Sequence, residues 1–174
     1  MRYFLSLGSN IGRRRENISR ALDELRKAGV KLLRSSSLYR TEPVGFAAQP
    51  WFYNCAVEVR VDMEPAEFLA TIKRIERDLG RRPAPRNRPR KIDIDIIMAE
   101  DSLAESRDLT IPHPRLAKRK FVLIPLQEIA PRAVHPQLKK TVSELLKITA
   151  DKSKVVRIPE SKGRSSTRGK GRRP

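Results

Sequence analysis

Apolar and polar positions along the chain fall into short periodic segments in a definite order. Residues 2–7, RYFLSL, form an apolar run reaching Gly8 and Asn10 and read as a first strand. From Arg14 to Ala28, residues Ile18, Ala21, Leu22, Leu25 and Ala28 recur at helical spacing, and Gly29 ends the helix. Val30 to Tyr39 reads as a second strand. A loop follows from Thr41 to Pro50, punctuated by Pro43, Gly45 and Pro50. Asn54 to Val61 alternates as a third strand. Pro65 suits a first helical turn and opens a second helix to Leu79, ended by Gly80. Its face is Phe68, Leu69, Ile72, Ile75 and Leu79, with Glu76 as the odd polar member. Arg81 to Pro89 is a loop rich in arginine and proline, and Ile92 to Met98 a fourth strand.

The order βαββαβ predicts an α+β fold, a ferredoxin-like sandwich with an antiparallel sheet and two helices on one face. A C-terminal extension follows. Leu109 to Pro112 reads as a short extended piece, and Arg115 to Lys118 as one helical turn. Phe121 to Ala130 reads as a short helix broken by Pro125, and Val142 to Ile148 as another. Lys, Arg, Ser, Gly and Pro dominate from Lys152 onward. The expected organisation is therefore a folded domain over 1–150 and a basic, disordered tail over 151–174.

The chain has 174 residues, enough for one domain with a core. No apolar run approaches the roughly 20 residues of a membrane-spanning helix. The N-terminal run carries no cleavage site and is expected to be a strand rather than a signal peptide. Cys55 is the only cysteine, so no internal disulfide can form, which suits a cytoplasmic location. The formal net charge is +18. Residues 152–174 hold nine Lys or Arg against one acid, and the remainder still holds 29 basic against 19 acidic residues. Such a body favours nucleic acid, a membrane surface or a phosphorylated small molecule.

Asp93 and Asp95 lie two apart on a strand, hence on one face and about 6.6 Å apart along the backbone. Aspartate is unfavourable within strands, and two like charges on one face repel unless a cation lies between them. Hard cations such as Mg²⁺ choose carboxylate oxygens and keep water and phosphate as their other ligands. Alternation by itself slightly favours acids in water, paired with Lys91, and it is the loop before them that tips the balance. The preceding loop adds Arg81, Arg82, Arg86, Arg88 and Arg90. Guanidinium groups match phosphate oxygens, and arginines beside an acid pair suit phosphoryl transfer. Residues 8–12, GSNIG, lack the Gly-Lys-Ser/Thr ending of a phosphate-binding P-loop and read as a strand-to-helix turn. Phe46, Trp51, Phe52 and Tyr53 gather within eight positions, where a planar heterocycle could stack, and Asn54 could pair with its donor and acceptor edges. Core packing accounts equally for some of these rings. His113 precedes a basic turn and could meet phosphate, whereas His135 reads as structural.

The motifs LSLGSNIG at 5–12, SSLYRTEPVG at 36–45, QPWFYNCAV at 49–57, IERDLGR at 75–81, PRKIDIDII at 89–97, LTIPHPRL at 109–116 and FVLIPLQEIAP at 121–131 occur in this order. Together they resemble the 6-hydroxymethyl-7,8-dihydropterin pyrophosphokinases of folate biosynthesis, over about Tyr3 to Ile148. The resemblance implies direct attack of a pterin hydroxymethyl oxygen on the β-phosphorus of ATP, with AMP leaving. It implies that Asp93 and Asp95 hold two Mg²⁺ ions. Phe52 and Phe121 would sandwich the pterin, Asn54 would hydrogen-bond it, and Thr41 and Val44 would contribute backbone contacts. Glu76, Arg81, Arg90, Thr110, His113 and Arg119 would line the nucleotide, with Arg81 and Arg90 stabilising charge during transfer. The expected partners are ATP and the pterin, with no membrane, no specific nucleic acid and a monomeric state. Departures from the pattern are Asn87 in place of a tryptophan, Arg88 in place of a glycine, and Pro114 where some members carry a tyrosine. The arginine loop also looks one residue shorter, so Arg82 and Arg86 compete for one role. The competing reading is a nucleic-acid-binding module, since a ferredoxin-like sheet with basic residues is also an RNA-binding architecture. Its exposed aromatic strand run is missing here, because the central strands carry Val, Ile and Asp.

Overall fold

A computed structural model describes residues 1–45, 48–81, 88–100 and 103–159. The elements, in chain order, are β1 (Arg2–Ser9), α1 (Arg14–Lys27), β2 (Lys31–Ser35), β3 (Tyr39–Thr41), β4 (Phe52–Arg60), α2 (Pro65–Asp78), β5 (Asp93–Ala99), β6 (Ala104–Glu105), β7 (Thr110–Ile111), a 3₁₀ turn (Leu116–Lys118), α3 (Lys120–Ile129), α4 (Val142–Ile148) and β8 (Val155–Arg157). The principal sheet runs β5-β1-β4-β3-β8, with β2 also paired to β4, and among the described residues its neighbouring strands pair antiparallel. β6 and β7 form a separate ribbon.

Period-two alternation assigns the two sheet faces. Tyr3, Leu5 and Leu7 of β1, Val57 and Val59 of β4, and Ile94 and Ile96 of β5 share one core with Ile18 and Leu25 of α1 and Phe68 and Ile72 of α2. Tyr3 and Phe68 bring their ring centroids to 4.9 Å, a contact worth roughly 0.5–1.5 kcal/mol beyond burial. The other face begins as a second core, in which Phe4, Ala56 and Met98 pack under Val122, Leu123 and Leu126 of α3 and Val142 and Leu145 of α4. Further along the same strands this face carries Ser6, Gly8, Asn54, Asp93 and Asp95. A register shift between Phe4 and Leu5 opposite β5 places both Ile97 and Met98 in the second core. The apolar half of this face is thus separated from its acidic half within one strand.

Four sequence expectations need correction. The strand expected over 30–39 is two strands, β2 and β3. The ladder to β4 continues across the break, because Ser36 N–H donates to the Ala56 carbonyl (2.9 Å) and Ser36 Oγ accepts from Ala56 N–H (2.9 Å). The third strand starts at Phe52 rather than Asn54, which moves Phe52 and Tyr53 out of the loop and into the ladder opposite Thr41 and Arg40. Pro125 lies within α3 instead of breaking it. The helix gives up one backbone bond there, and burial of Val122, Leu123, Leu126 and Ile129 offsets the loss. Finally, the tail expected from 151 contains β8, whose β-branched Val155 and Val156 complete the edge of β3. Phe46, Arg82, Arg86, Asn87 and the segment 160–174 lie outside the described residues.

Candidate active site

The uncovered half of the second sheet face is the floor of a cavity of about 770 Å³. Its floor runs across three strands. Asp93 pairs with Gly8, which pairs with Asn54, and Asp95 pairs with Ser6. Small residues on the central strand make this depression possible. A Cβ on Gly8 would lie 2.5 Å from Asn54 Oδ1, so the floor admits no side chain at that position.

Phe52, Asn54, Thr41 and Val44 line the cavity, as does Phe121 from the first turn of α3. The Asn54 amide is fixed, because Nδ2 donates to Thr41 Oγ1 at 2.6 Å and both residues are buried. Cations come from two segments. Arg88 and Arg90 precede β5, and Arg115, Lys118 and Arg119 surround the 3₁₀ turn. Arg119 lies over the Phe121 ring at 5.5 Å, so a stacking surface and a guanidinium occur together.

Asp93 is held by two arginines. Arg90 Nη1 donates to Oδ2 at 2.5 Å, and Arg81 Nη1 lies 2.9 Å from Oδ1. The latter is a charge contact rather than an aligned hydrogen bond, because Asp93 Oδ1 and Arg81 Nη1 are both buried without a hydrogen-bond partner. Arg119 approaches Asp95 only to 4.0 Å. Solvent reaches Asp95, but protein encloses its carboxyl on the cavity floor. That enclosure, followed by repulsion from Asp93, pushes its pKa up to about 6. Burial also opposes the charge on Arg81, yet Asp93, Glu76 and Asp95 more than compensate, and its pKa is raised.

These residues fit a hard cation. Two carboxylates project from one strand face, one carries an oxygen without a hydrogen bond, and the pKa of the other is pushed up by enclosure and then by its neighbour Asp93, a repulsion that a cation between them would relieve. Among the described residues no third His, Cys, Asp or Glu completes an all-protein cage. A cation here would therefore keep water or phosphate oxygens as further ligands, which is magnesium's habit.

His113 lines the cavity, and its pKa is lowered to about 4 by burial, then by Arg119 and Arg115. The neutral ring accepts Arg115 N–H on Nδ1 at 3.0 Å, leaving Nε2 to carry the proton. His113 is thus a neutral donor beside a group of cations.

Three residues assigned to the nucleotide by resemblance do not line the cavity. Glu76 is 1% exposed, behind β5, where Oε1 accepts Ile94 N–H at 2.8 Å, Oε2 accepts from Lys73 at 2.9 Å and Arg81 forms an ion pair. Arg81 spans from Glu76 to Asp93. Thr110 pairs with Glu105 in the small ribbon. Sequence reasoning in turn missed Ser6, Gly8 and Gln49, which do line it. It also passed over Asn10, which lies beneath the walls. Asn10 is buried, donates Nδ2–H to Gln49 Oε1 (2.9 Å) and to the Pro50 carbonyl (3.0 Å), and accepts Arg90 N–H on Oδ1 (2.7 Å). One side chain thus joins the loop before β4 to the arginine segment before β5. The available signal was the Gly-Ser-Asn run directly after a strand, which reads locally only as a turn.

Residues 4–131 match the model of the family described as 7,8-dihydro-6-hydroxymethylpterin-pyrophosphokinase (HPPK). The folic acid synthesis protein FOL1 of Dictyostelium discoideum is 41% identical over 142 residues, covering 82% of this chain. The chain spans only 22% of the length of that relative. A 2-amino-4-hydroxy-6-hydroxymethyldihydropteridine pyrophosphokinase of Aquifex aeolicus is 36% identical over 141 residues, covering 81% of this chain and 88% of its own. A crystal structure of Plasmodium falciparum HPPK-DHPS superposes with a TM-score of 0.68 at 18% identity, over 84% of this chain and 42% of that one, and supports the fold alone. No helix among the described residues is long and apolar enough to cross a membrane. With the family match covering most of the chain, the protein belongs to the 7,8-dihydro-6-hydroxymethylpterin-pyrophosphokinase family.

Proposed function

We infer that the protein transfers diphosphate from ATP to the hydroxymethyl group of 6-hydroxymethyl-7,8-dihydropterin, releasing AMP. The observation that carries this reading is the single cavity in which Asp93 and Asp95 lie opposite an aromatic and amide wall and beside five cationic side chains. A flat heterocycle fits between Phe52 and Phe121, with its polar edge on Asn54 and the segment around Thr41 and Val44. The phosphates face Arg90, Arg119, Arg115, Lys118 and His113. Magnesium, two ions in this reading, supplies orientation and neutralisation of the phosphates when held by Asp93 and Asp95.

The pterin oxygen attacks the β-phosphorus in line, the bond to the α,β-bridging oxygen breaks, and AMP leaves without a covalent enzyme intermediate. Arg90 and Arg119 meet the charge that grows on the transferring group. Arg81 and Glu76 act one layer further back, by holding Asp93 and the backbone between the two aspartates. Thr110 keeps a nucleotide role only through the position of the segment leading to His113. The ferredoxin-like arrangement is supported by the strand order β5-β1-β4-β3 with α1 and α2 on one face.

The test is incubation with ATP, Mg²⁺ and the dihydropterin, with and without each component. Pterin-dependent AMP supports the reading, whereas ADP or no nucleotide product rejects it. Nothing in the comparisons favours the nucleic-acid-binding alternative, and the acidic floor of the cavity argues against it.

A further inference from the structure

The family match ends at residue 131, yet the segment that follows α4 returns to Glu42, which lines the cavity, and to Lys120, the neighbour of Phe121. Asp151 Oδ2 accepts the N–H of Lys120, the first residue of α3, at 2.7 Å. α3 lacks a side-chain cap of its own, so Asp151 satisfies one of its open donors and places a negative charge at its N-terminus. Asp151 Oδ1 accepts Ser153 N–H at 2.8 Å, which turns the chain toward β3. Lys154 N–H then donates to Glu42 Oε2 (3.1 Å), and Glu42 N–H donates to the Lys154 carbonyl (3.0 Å). β8 pairs alongside β3, and Ile158 N–H closes on the Leu38 carbonyl at 2.8 Å. At the far end Arg157 Nε donates to Ser37 Oγ (2.9 Å), and Ser37 and Tyr39 both donate to Glu128 of α3.

These bonds tie together the two sides of the ring subsite. Lys120 immediately precedes Phe121, and Glu42 immediately follows Thr41. We propose that residues 151–158 are a strap that sets the gap between Phe121 and the Thr41–Val44 wall, and so acts as a positioning element for the planar substrate. The role rests on the functional reading above, because it presumes that a flat ring occupies that gap. The strap touches none of Arg90, Asp93 or Asp95 in these bonds, so it should govern ring binding and leave the phosphate end largely unaltered.

The test uses the full chain with Asp151→Ala, which removes the cap on Lys120, and Lys154→Pro, which removes the donor to Glu42. Lys154→Ala keeps that N–H and serves as the rescue variant. Amide hydrogen exchange without ligand should rise about tenfold at Lys120 in the first variant, which loses the acceptor of that N–H, and should rise at Glu42 in the second, whose bond to the Lys154 carbonyl loses the reciprocal bond that aligns it, with β1 amides unchanged. In steady state, both variants should raise the pterin KM about tenfold while the ATP KM stays within about twofold, and Lys154→Ala should match the parent. Unchanged exchange at Lys120 and Glu42, or equal rises in both KM values, overturns the strap. Should Asp151→Ala fail to fold, Asp151→Asn, which keeps an acceptor but not the charge, should raise Lys120 exchange and the pterin KM in the same direction by a smaller factor, and no rise in either overturns the strap; should Lys154→Pro fail to fold, the Asp151 variants decide alone. Because the exchange measurement needs no substrate, it stands even if the parent protein forms no AMP, an outcome that rejects the functional reading alone.

Discussion

The carboxylate of Glu76 accepts the backbone N–H of Ile94, 2.8 Å away and midway between Asp93 and Asp95. A buried acid on α2 thereby fixes the stretch of strand that presents both cavity carboxylates. Its negative charge is balanced by Lys73 and Arg81, and Arg81 continues to Asp93. Removing one partner of a buried ionic group strands the others, so Glu76→Ala should lower stability by about 3–5 kcal/mol in denaturant unfolding. Glu76→Gln keeps an acceptor for Ile94 and should lose less stability. It should still reduce kcat, because Arg81 is no longer held against Asp93.

Gly8→Ala tests the cavity floor. The added methyl meets Asn54 Oδ1 at 2.5 Å, and Asn54 cannot yield without breaking its bond to Thr41. Overpacking of this kind costs about 1–3 kcal/mol. Pterin affinity, measured by calorimetry, should fall well before ATP affinity does.

Asn10→Ala removes three hydrogen bonds that join the two cavity walls. With each bond worth about 1 kcal/mol and the half-buried Arg90 N–H left without its acceptor, a loss of about 2–4 kcal/mol is expected. The KM values for both substrates should rise together. This separates Asn10 from Gly8, whose effect falls on the pterin.

The pH dependence has a definite sign. Asp95 is shifted up to about 6, so as pH falls through 6 it takes up a proton and ceases to be a ligand for magnesium. Activity at low Mg²⁺ should drop on the acid side with an apparent pKa near 6, and raising Mg²⁺ should move that limb to lower pH. In the folded protein without metal, the raised value means that Asp95 costs stability as pH rises from its unfolded value of 3.8 to about 6. Asp95→Asn should therefore abolish this component and leave the protein at least as stable at pH 7. His113, lowered to about 4, stays neutral above pH 5 and should contribute no inflection near 6.5.

Much of this was legible in the chain because it depends on local period. α1 and α2 end within one residue of their expected limits, at glycines with positive φ, and β5 alternates Asp with Ile as its two faces require. Phe52 and Tyr53 were misassigned because aromatics after Pro50 resemble a loop, and only pairing with β3 draws them into the ladder. The break at Ser36 and the edge strand β8 depend on where another strand leaves donors and acceptors open, which no local pattern reports. Glu76 stood out as a polar residue on an apolar helix face. Its true partner, a backbone N–H eighteen residues later, is set by helix-to-sheet packing. Asn10 and Gly8 matter through neighbours 39 or more residues away, and their local sequence speaks only of a turn.

Diphosphate transfer on Asp93 and Asp95 is tested most directly with ATP labelled at the β-phosphorus, comparing the parent protein with Asp95→Asn in the presence of Mg²⁺ and 6-hydroxymethyl-7,8-dihydropterin. The parent should move the label onto the pterin in step with AMP formation, and Asp95→Asn should slow this by about 10³-fold or more while remaining folded. Label retained in ADP, or near-parental transfer by Asp95→Asn, would contradict the assignment of the cavity.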